Sequence, residues 1–198
     1  PEIFALFDEL KKEGKILNMG VSVERVEEAL KAIEYDNVTT VQIIFNMFRQ
    51  RPAKDFFAEA AKKNVGIIVR VPLASGLLTG KYSKATVFGK DDHRTFNRNG
   101  EAFDKGETFS GINYEKGLAA VDELKKIFPA NADLALIALR WIIMFREVSC
   151  VIPGASKPEQ VLSNLKACEL PNLDQEQLQA IEKVYNQYIL PDLLKEKW

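Results

Sequence analysis

The chain has 198 residues, 46% of them apolar and 28% charged, and its 27 basic and 28 acidic side chains leave a net charge of −1. This is the composition of one soluble globular region, residues 1–198, with no basic footprint for nucleic acid and no polybasic stripe for a membrane surface. The longest apolar run, Leu134–Phe145, is interrupted by Arg140 and is too short to cross a bilayer.

Short β-rich runs alternate with amphipathic stretches along the chain, the pattern of βα units around a parallel sheet. Glu2–Glu13 reads as a helix with Ile3, Phe4, Leu6, Phe7 and Leu10 on one face, stopped by Gly14. Ile16–Val21 is the first expected strand and Glu24–Glu34 the next helix. Val41–Phe45 is the second strand, followed by a helix over Ala53–Lys63 behind Pro52. Gly66–Val71 reads as a fully buried third strand. A polar segment between Tyr82 and Ile112, about 30 residues long, is unusual for a structureless loop and reads as a lid. Helices over Tyr114–Phe128 and Asp133–Arg146 precede a fourth strand, Ser149–Ile152. Pro158–Ala167 and Asp174–Tyr188 close the chain, and the tail Leu190–Trp198 carries an apolar stripe suited to docking.

The first three strands begin about 25 residues apart, the step of a βα barrel. Four parallel strands alone leave two edges and one face uncovered. A further polypeptide segment is therefore expected to complete the sheet, with an open doubly wound sheet as the alternative. The chain starts at Pro1 rather than methionine, which adds to the expectation of a piece of a longer protein.

In parallel βα folds, ligands lie at the carboxyl ends of the strands. Four such ends carry polar or turn-forming residues here: Gly20–Val23, Gln42 with Asn46, Arg70–Lys81, and Ile152–Val161. In the third, Ser75, Gly76, Thr79, Gly80 and Lys81 form either a phosphate cradle or a plain glycine turn. In the fourth, Ser156 and Glu159 match a capping box with Pro158 in the first turn, and Lys157 and Gln160 could hold an anion at the helix start. Arg70 closes an aliphatic strand, either as a guanidinium platform or in a salt bridge. Gln42, inside an apolar strand, needs a partner for its amide. His93 reads as a solvated loop histidine, and as the single histidine it excludes a multi-histidine metal site. Cys150 and Cys168 read as buried small apolar residues; two cysteines build no disulfide framework. With no secretory leader pattern, a cytoplasmic location is the expectation.

Gly20-Val21-Ser22, Gln42 with Phe45-Asn46-Met47-Phe48, Pro72 through Lys81, and Ile152 through Gln160 with Asn164 occur in an order and spacing that resemble the aldo-keto reductase family. The likeness runs from Phe4 to Tyr188 and is nearest the branch of bacterial stress and inositol-related oxidoreductases and potassium-channel β subunits. It implies an α/β fold, a parallel (β/α) barrel of TIM type, with this chain supplying strands five to eight. It also implies NADPH (NADP) bound along the rim and a small-molecule carbonyl reduced to an alcohol.

By position in the family, Ser22 and Gln42 hold the nicotinamide carboxamide, and Arg70 stands where an aromatic ring often stacks. Leu73, Ser75 and Lys81 follow the pyrophosphate, Ser156, Lys157 and Gln160 surround the 2′-phosphate, and Asn164 meets the adenine. Val23 departs from the asparagine common after the strand-one serine, and Gln160 from an arginine found in some relatives. The family's catalytic Asp, Tyr, Lys and His belong to the first four strands, so no catalytic residue is expected in this chain. The expected partner is the missing N-terminal half of the barrel or a second copy. The alternatives are a nucleotide-binding regulatory subunit without turnover and a self-associating half-barrel.

Overall fold

A computed structural model describes residues 2–196. Helix α1 (Glu2–Lys12) precedes strand β1 (Met19–Ser22), helix α2 (Val26–Ala32) and strand β2 (Val38–Ile44). Helices α3 (Arg51–Asp55) and α4 (Phe57–Lys62) lead to strand β3 (Gly66–Arg70). After a short α5 (His93–Phe96) come α6 (Tyr114–Ile127), α7 (Leu134–Ile143), strand β4 (Val148–Val151) and α8 (Pro158–Leu165). Helices α9 (Gln175–Val184) and α10 (Leu190–Glu196) end the described chain. The expected docking role of the tail falls partly on Lys197 and Trp198, which lie outside the described residues.

The strands form one parallel sheet in the order β1-β2-β3-β4, as a series of βα units requires. Its two faces differ in chemistry. Val41, Ile43, Ile67 and Val69 are buried on one face and join the core with α2, α4, α6 and α7. The centre of that core is aromatic: Phe45 lies 4.7 Å from Phe57, 5.0 Å from Trp141 and 4.9 Å from Phe145, centroid to centroid. The opposite face carries two rows of smaller or polar residues in register. Gly20, Thr40 and Gly66 make one row; Ser22, Gln42, Ile68 and Cys150 make the next. Ser22 and Cys150 are exposed there, while Gln42 and Ile68 are half-buried. A Cβ on Gly20 would stand 2.7 Å from the Thr40 carbonyl oxygen, so β1 needs glycine to approach β2 this closely. Among the described residues nothing covers this second face, although parallel sheets are normally covered on both.

Three elements differ from expectation, each for a physical reason. The first strand begins at Met19 rather than Ile16, because pairing with β2 starts there and Leu17 is left exposed. The helix expected over Ala53–Lys63 breaks at Phe56 (φ −125°, ψ −40°). Neighbouring side chains point about 100° apart on a helix, yet Phe56 and Phe57 are both buried, and the break lets both reach the core. The last helix passes through a π turn, Tyr185–Ile189, into α10. Pro191 has no N–H to donate four residues back, which favours a wider turn just before it.

Candidate functional site

A groove of about 1040 Å³ runs along the carboxyl ends of the strands, at the upper end of the size range for small-molecule sites. One wall is the loop after β3, with Leu73, Ser75, Gly76, Thr79 and Lys81. The facing wall is the β4–α8 connection, with Gly154, Ala155, Ser156, Gln160 and Asn164. Six sequence candidates (Leu73, Ser75, Lys81, Ser156, Gln160 and Asn164) therefore line one groove. Ser22, Gln42, Arg70 and Lys157 do not line it. Ser22 and Gln42 nevertheless meet each other, the Gln42 Nε2 donating to the Ser22 hydroxyl at 3.0 Å.

The loop after β3 is tightly wound. Ala74, Ser75 and Gly76 all have φ between 48° and 95°, a left-handed run that only glycine enters without cost. A second such run, Phe109-Ser110-Gly111, lies against it. Ser75 joins the two: its hydroxyl donates to the Glu107 carbonyl at 3.0 Å and accepts from the Phe109 N–H at 3.0 Å. Asn46, fully buried after β2, adds a second tie, donating to the Val71 carbonyl and to the Ser110 hydroxyl, each at 2.9 Å. Its own Oδ1 accepts from Phe48 N–H at 2.8 Å. The segment expected as a lid is thus pinned at its carboxyl-terminal end.

Arg70 is the hub of the remaining ties. It is only 7% exposed, and one guanidinium nitrogen donates to the Val23 carbonyl at 2.9 Å and to Glu24 Oε1 at 2.7 Å. The other nitrogen pairs with Glu107, from the segment after α5. Burial raises the Glu24 carboxyl above its ordinary value; Arg70 opposes that rise, and the Glu107 charge adds to it. Arg49 is also buried and donates to the carbonyls of Glu24 (3.1 Å) and Ser110 (3.3 Å). Burial pulls its guanidinium down to about 10.

Earlier in the segment, Arg94 sits 4.5 Å from the Phe88 ring centroid and bonds Tyr82 and Asp92. The Arg94 hydrogen bonds hold Asp92 at about 2. Its folded value lies below the ordinary 3.8, so the stabilisation is complete above about pH 4 and lost as pH falls through 2. Asp92→Asn is therefore expected to lower stability at neutral pH and to flatten the loss between pH 4 and 2, as read by urea unfolding across that range.

At the start of α8 the cap differs from the expected Ser156–Glu159 box. Pro158 occupies the first helical position, Lys157 becomes the N-cap, and the Gln160 side-chain oxygen accepts from the N–H groups of Ser156 (2.6 Å) and Lys157 (3.1 Å). Glu159 is left out of the cap, and Lys157 is exposed. Cys150 and Cys168, expected to be buried, are both exposed beside an apolar cleft between α7, β4 and α8. The reason is position: β4 is the edge strand, and α8 has no buried residue. Among the described residues no group of acidic, cysteine or histidine side chains could hold a metal ion, and no helix is long and apolar enough to cross a membrane.

A groove at the strand ends, walled by a wound Ser-Gly loop on one side and a helix start on the other, sets the Lys81 ammonium and the Gln160 and Asn164 amides at separated points, with the Glu24, Asp104 and Glu107 carboxylates also lining it. The ammonium and the helix start are the parts of it suited to phosphate. The profile of the aldo/keto reductase family matches residues 1–186. The chain belongs to that family. The solved glycerol dehydrogenase of Gluconobacter oxydans is similar to it, at 31% identity and a TM-score of 0.70, over 91% of this chain and 52% of that one. An aldo-keto reductase of Strobilurus tenacellus is 29% identical over 92% of this chain and 53% of its own length. A putative voltage-gated potassium channel β subunit of Schizosaccharomyces pombe is 29% identical over 93% of this chain and 55% of its own length. The chain spans about half the length of the curated relatives it matches.

In this aldo/keto reductase chain, sequence reasoning placed the two groove walls and missed the charges beneath them. Glu24, Glu107 and Arg49 gave no signal, since charged loop residues are usually solvated and only the fold buries Arg49 and half-buries the two glutamates. Asn46 did stand out, as a polar residue ending an apolar strand.

Proposed function

We propose that this chain is the carboxyl-terminal, cofactor-binding half of an NADP(H)-dependent oxidoreductase that reduces aldehydes or ketones to alcohols. In this reading the sheet supplies strands five to eight of a TIM-type barrel, and the uncovered polar face receives the rest of that barrel. The observation that carries the proposal is the convergence of the β3 loop and the β4–α8 connection on one groove.

NADPH, when bound, supplies the hydride. The residues of this chain bind and orient it. The paired Ser22 and Gln42 present a hydroxyl and an amide to the carboxamide, with Arg70 at the end of the next strand, β3. Ser75 and the loop it braces, with Leu73 and Lys81, follow the pyrophosphate. Ser156, Lys157 and Gln160 take the 2′-phosphate, and Asn164 the adenine. Neutralising a phosphate by lysine is a point-charge interaction without a fixed fork, so Lys157 contributes affinity more than geometry. The proton for the new hydroxyl comes from groups outside this chain, in the half that carries the family's Asp, Tyr, Lys and His.

Titration of the whole protein with NADPH and NADH by calorimetry tests the reading. NADPH is expected to bind more tightly, and Lys157→Ala is expected to weaken NADPH about tenfold while leaving NADH nearly unchanged. Absence of heat with either dinucleotide sinks the proposal.

A further inference from the structure

Tyr82 and Arg94 line the groove beside Ser75 and Gly76, in a cluster that the proposed grip on a dinucleotide leaves without a role. A Cβ on Gly76 would collide with the Tyr82 hydroxyl and stand 2.8 Å from two of its ring carbons, so the phenol occupies the space a side chain would take. Glycine is required here twice, for that space and for its φ of 95°. The phenol is itself fixed. Its ring meets Phe88 edge-on at 5.2 Å, and its oxygen accepts from Nη1 of Arg94. The same Nη1 reaches the Ser75 carbonyl at 3.5 Å. Asp92 takes the other side of the fork, accepting from Nε at 2.8 Å and from Nη2. One guanidinium therefore joins a carboxylate, a phenol and a main-chain carbonyl, in directions that its planar fork fixes.

A run of left-handed residues relaxes toward ordinary backbone unless its surroundings hold it. We infer that Tyr82 and Arg94 are positioning residues: Arg94 holds the phenol, the phenol holds Gly76, and the groove wall at 75–76 is set before a ligand arrives. A wall set in advance costs a ligand less ordering on binding. The inference deepens the cofactor reading and rests on its placement of the pyrophosphate along this loop. Neither side chain is assigned a contact with the dinucleotide. The charge of Arg94 is met by Asp92, and its part in the wall is geometric. The segment expected as a lid is then tied to Ser75 at both ends, through Arg94 near its start and through Glu107 and Phe109 near its close.

Tyr82→Phe tests the hold in the whole protein, because it removes one hydroxyl and leaves the ring and every charge in place. Two ligands are titrated by calorimetry: NADPH, and adenosine 2′-monophosphate, which in the proposed pose reaches only the β4–α8 wall. NADPH is expected to weaken about tenfold, the scale of one hydrogen bond to a charged group, and adenosine 2′-monophosphate by less than about twofold. Exchange of the Gly76 N–H, bonded to the Leu73 carbonyl at 2.9 Å, is expected to quicken in the ligand-free variant, by about tenfold if the loop opens locally. Arg94→Lys, which keeps the charge without the fork, is expected to behave as Tyr82→Phe does, and it serves alone should Tyr82→Phe fail to fold. An unmoved NADPH constant overturns the inference, as does equal weakening of both ligands, the mark of a general structural effect. Weakened NADPH with unmoved Gly76 exchange also overturns it, because the hydroxyl then touches the ligand instead of holding the loop. Failure of the unaltered protein to bind NADPH overturns the cofactor reading itself and this inference with it; intact binding that Tyr82→Phe leaves unmoved removes this inference alone.

Discussion

Arg70→Met is expected to destabilise the protein by about 3–5 kcal/mol, because it strips the shared cation from two partly buried carboxylates. The cost lies in the carboxylates left behind more than in any lost attraction. Replacing all three together, Glu24→Leu with Arg70→Met and Glu107→Leu, is therefore expected to recover most of the stability. Urea unfolding of the single and triple variants measures both effects. A single variant within 1 kcal/mol of the unaltered protein, on the scale of a surface pair, would show that solvent already compensates these charges.

Asn46→Ala is the second large effect, at about 3 kcal/mol. Two groups lose their partner at once, the Phe48 N–H and the Ser110 hydroxyl, and the Val71 carbonyl keeps only the Ala74 N–H at 3.1 Å. The site is fully buried, so no water replaces the amide without opening the loop. Two left-handed runs, 74–76 and 109–111, lean on this contact, and backbone strain of that kind persists only where surrounding bonds hold it. Hydrogen exchange is expected to accelerate at Gly76, Phe109 and Gly111 in Asn46→Ala, while the centre of β2 stays protected. Uniform acceleration throughout the chain would instead mark a general loss of stability.

The parts of this fold that the sequence specifies by itself follow from local pattern. β2 and β3 are short runs rich in apolar residues, and α6 and α7 are amphipathic stretches. Those features act within a few residues and need no partner. The break at Phe56 and the π turn before α10 depend on which side chains the core accepts, and no short window of residues contains that information. The cap at α8 shows the boundary closely: the pattern pointed to Ser156 and Glu159, but Pro158 settled into the first helical position and moved the pairing to Lys157 and Gln160.

The groove divides the same way. That the β3 loop and the β4–α8 connection share one rim is expected from the sequence because both follow strands of a parallel sheet, whose carboxyl ends lie on one side. Only tertiary structure decided that Arg70 lies between Glu24 and Glu107, that Asn46 braces a segment 64 positions further on, and that Cys150 stands exposed on an edge strand. The physical reason is range: a helix or strand is selected by neighbours, whereas burial of a charge or an amide is selected by whatever distant segment the fold brings over it.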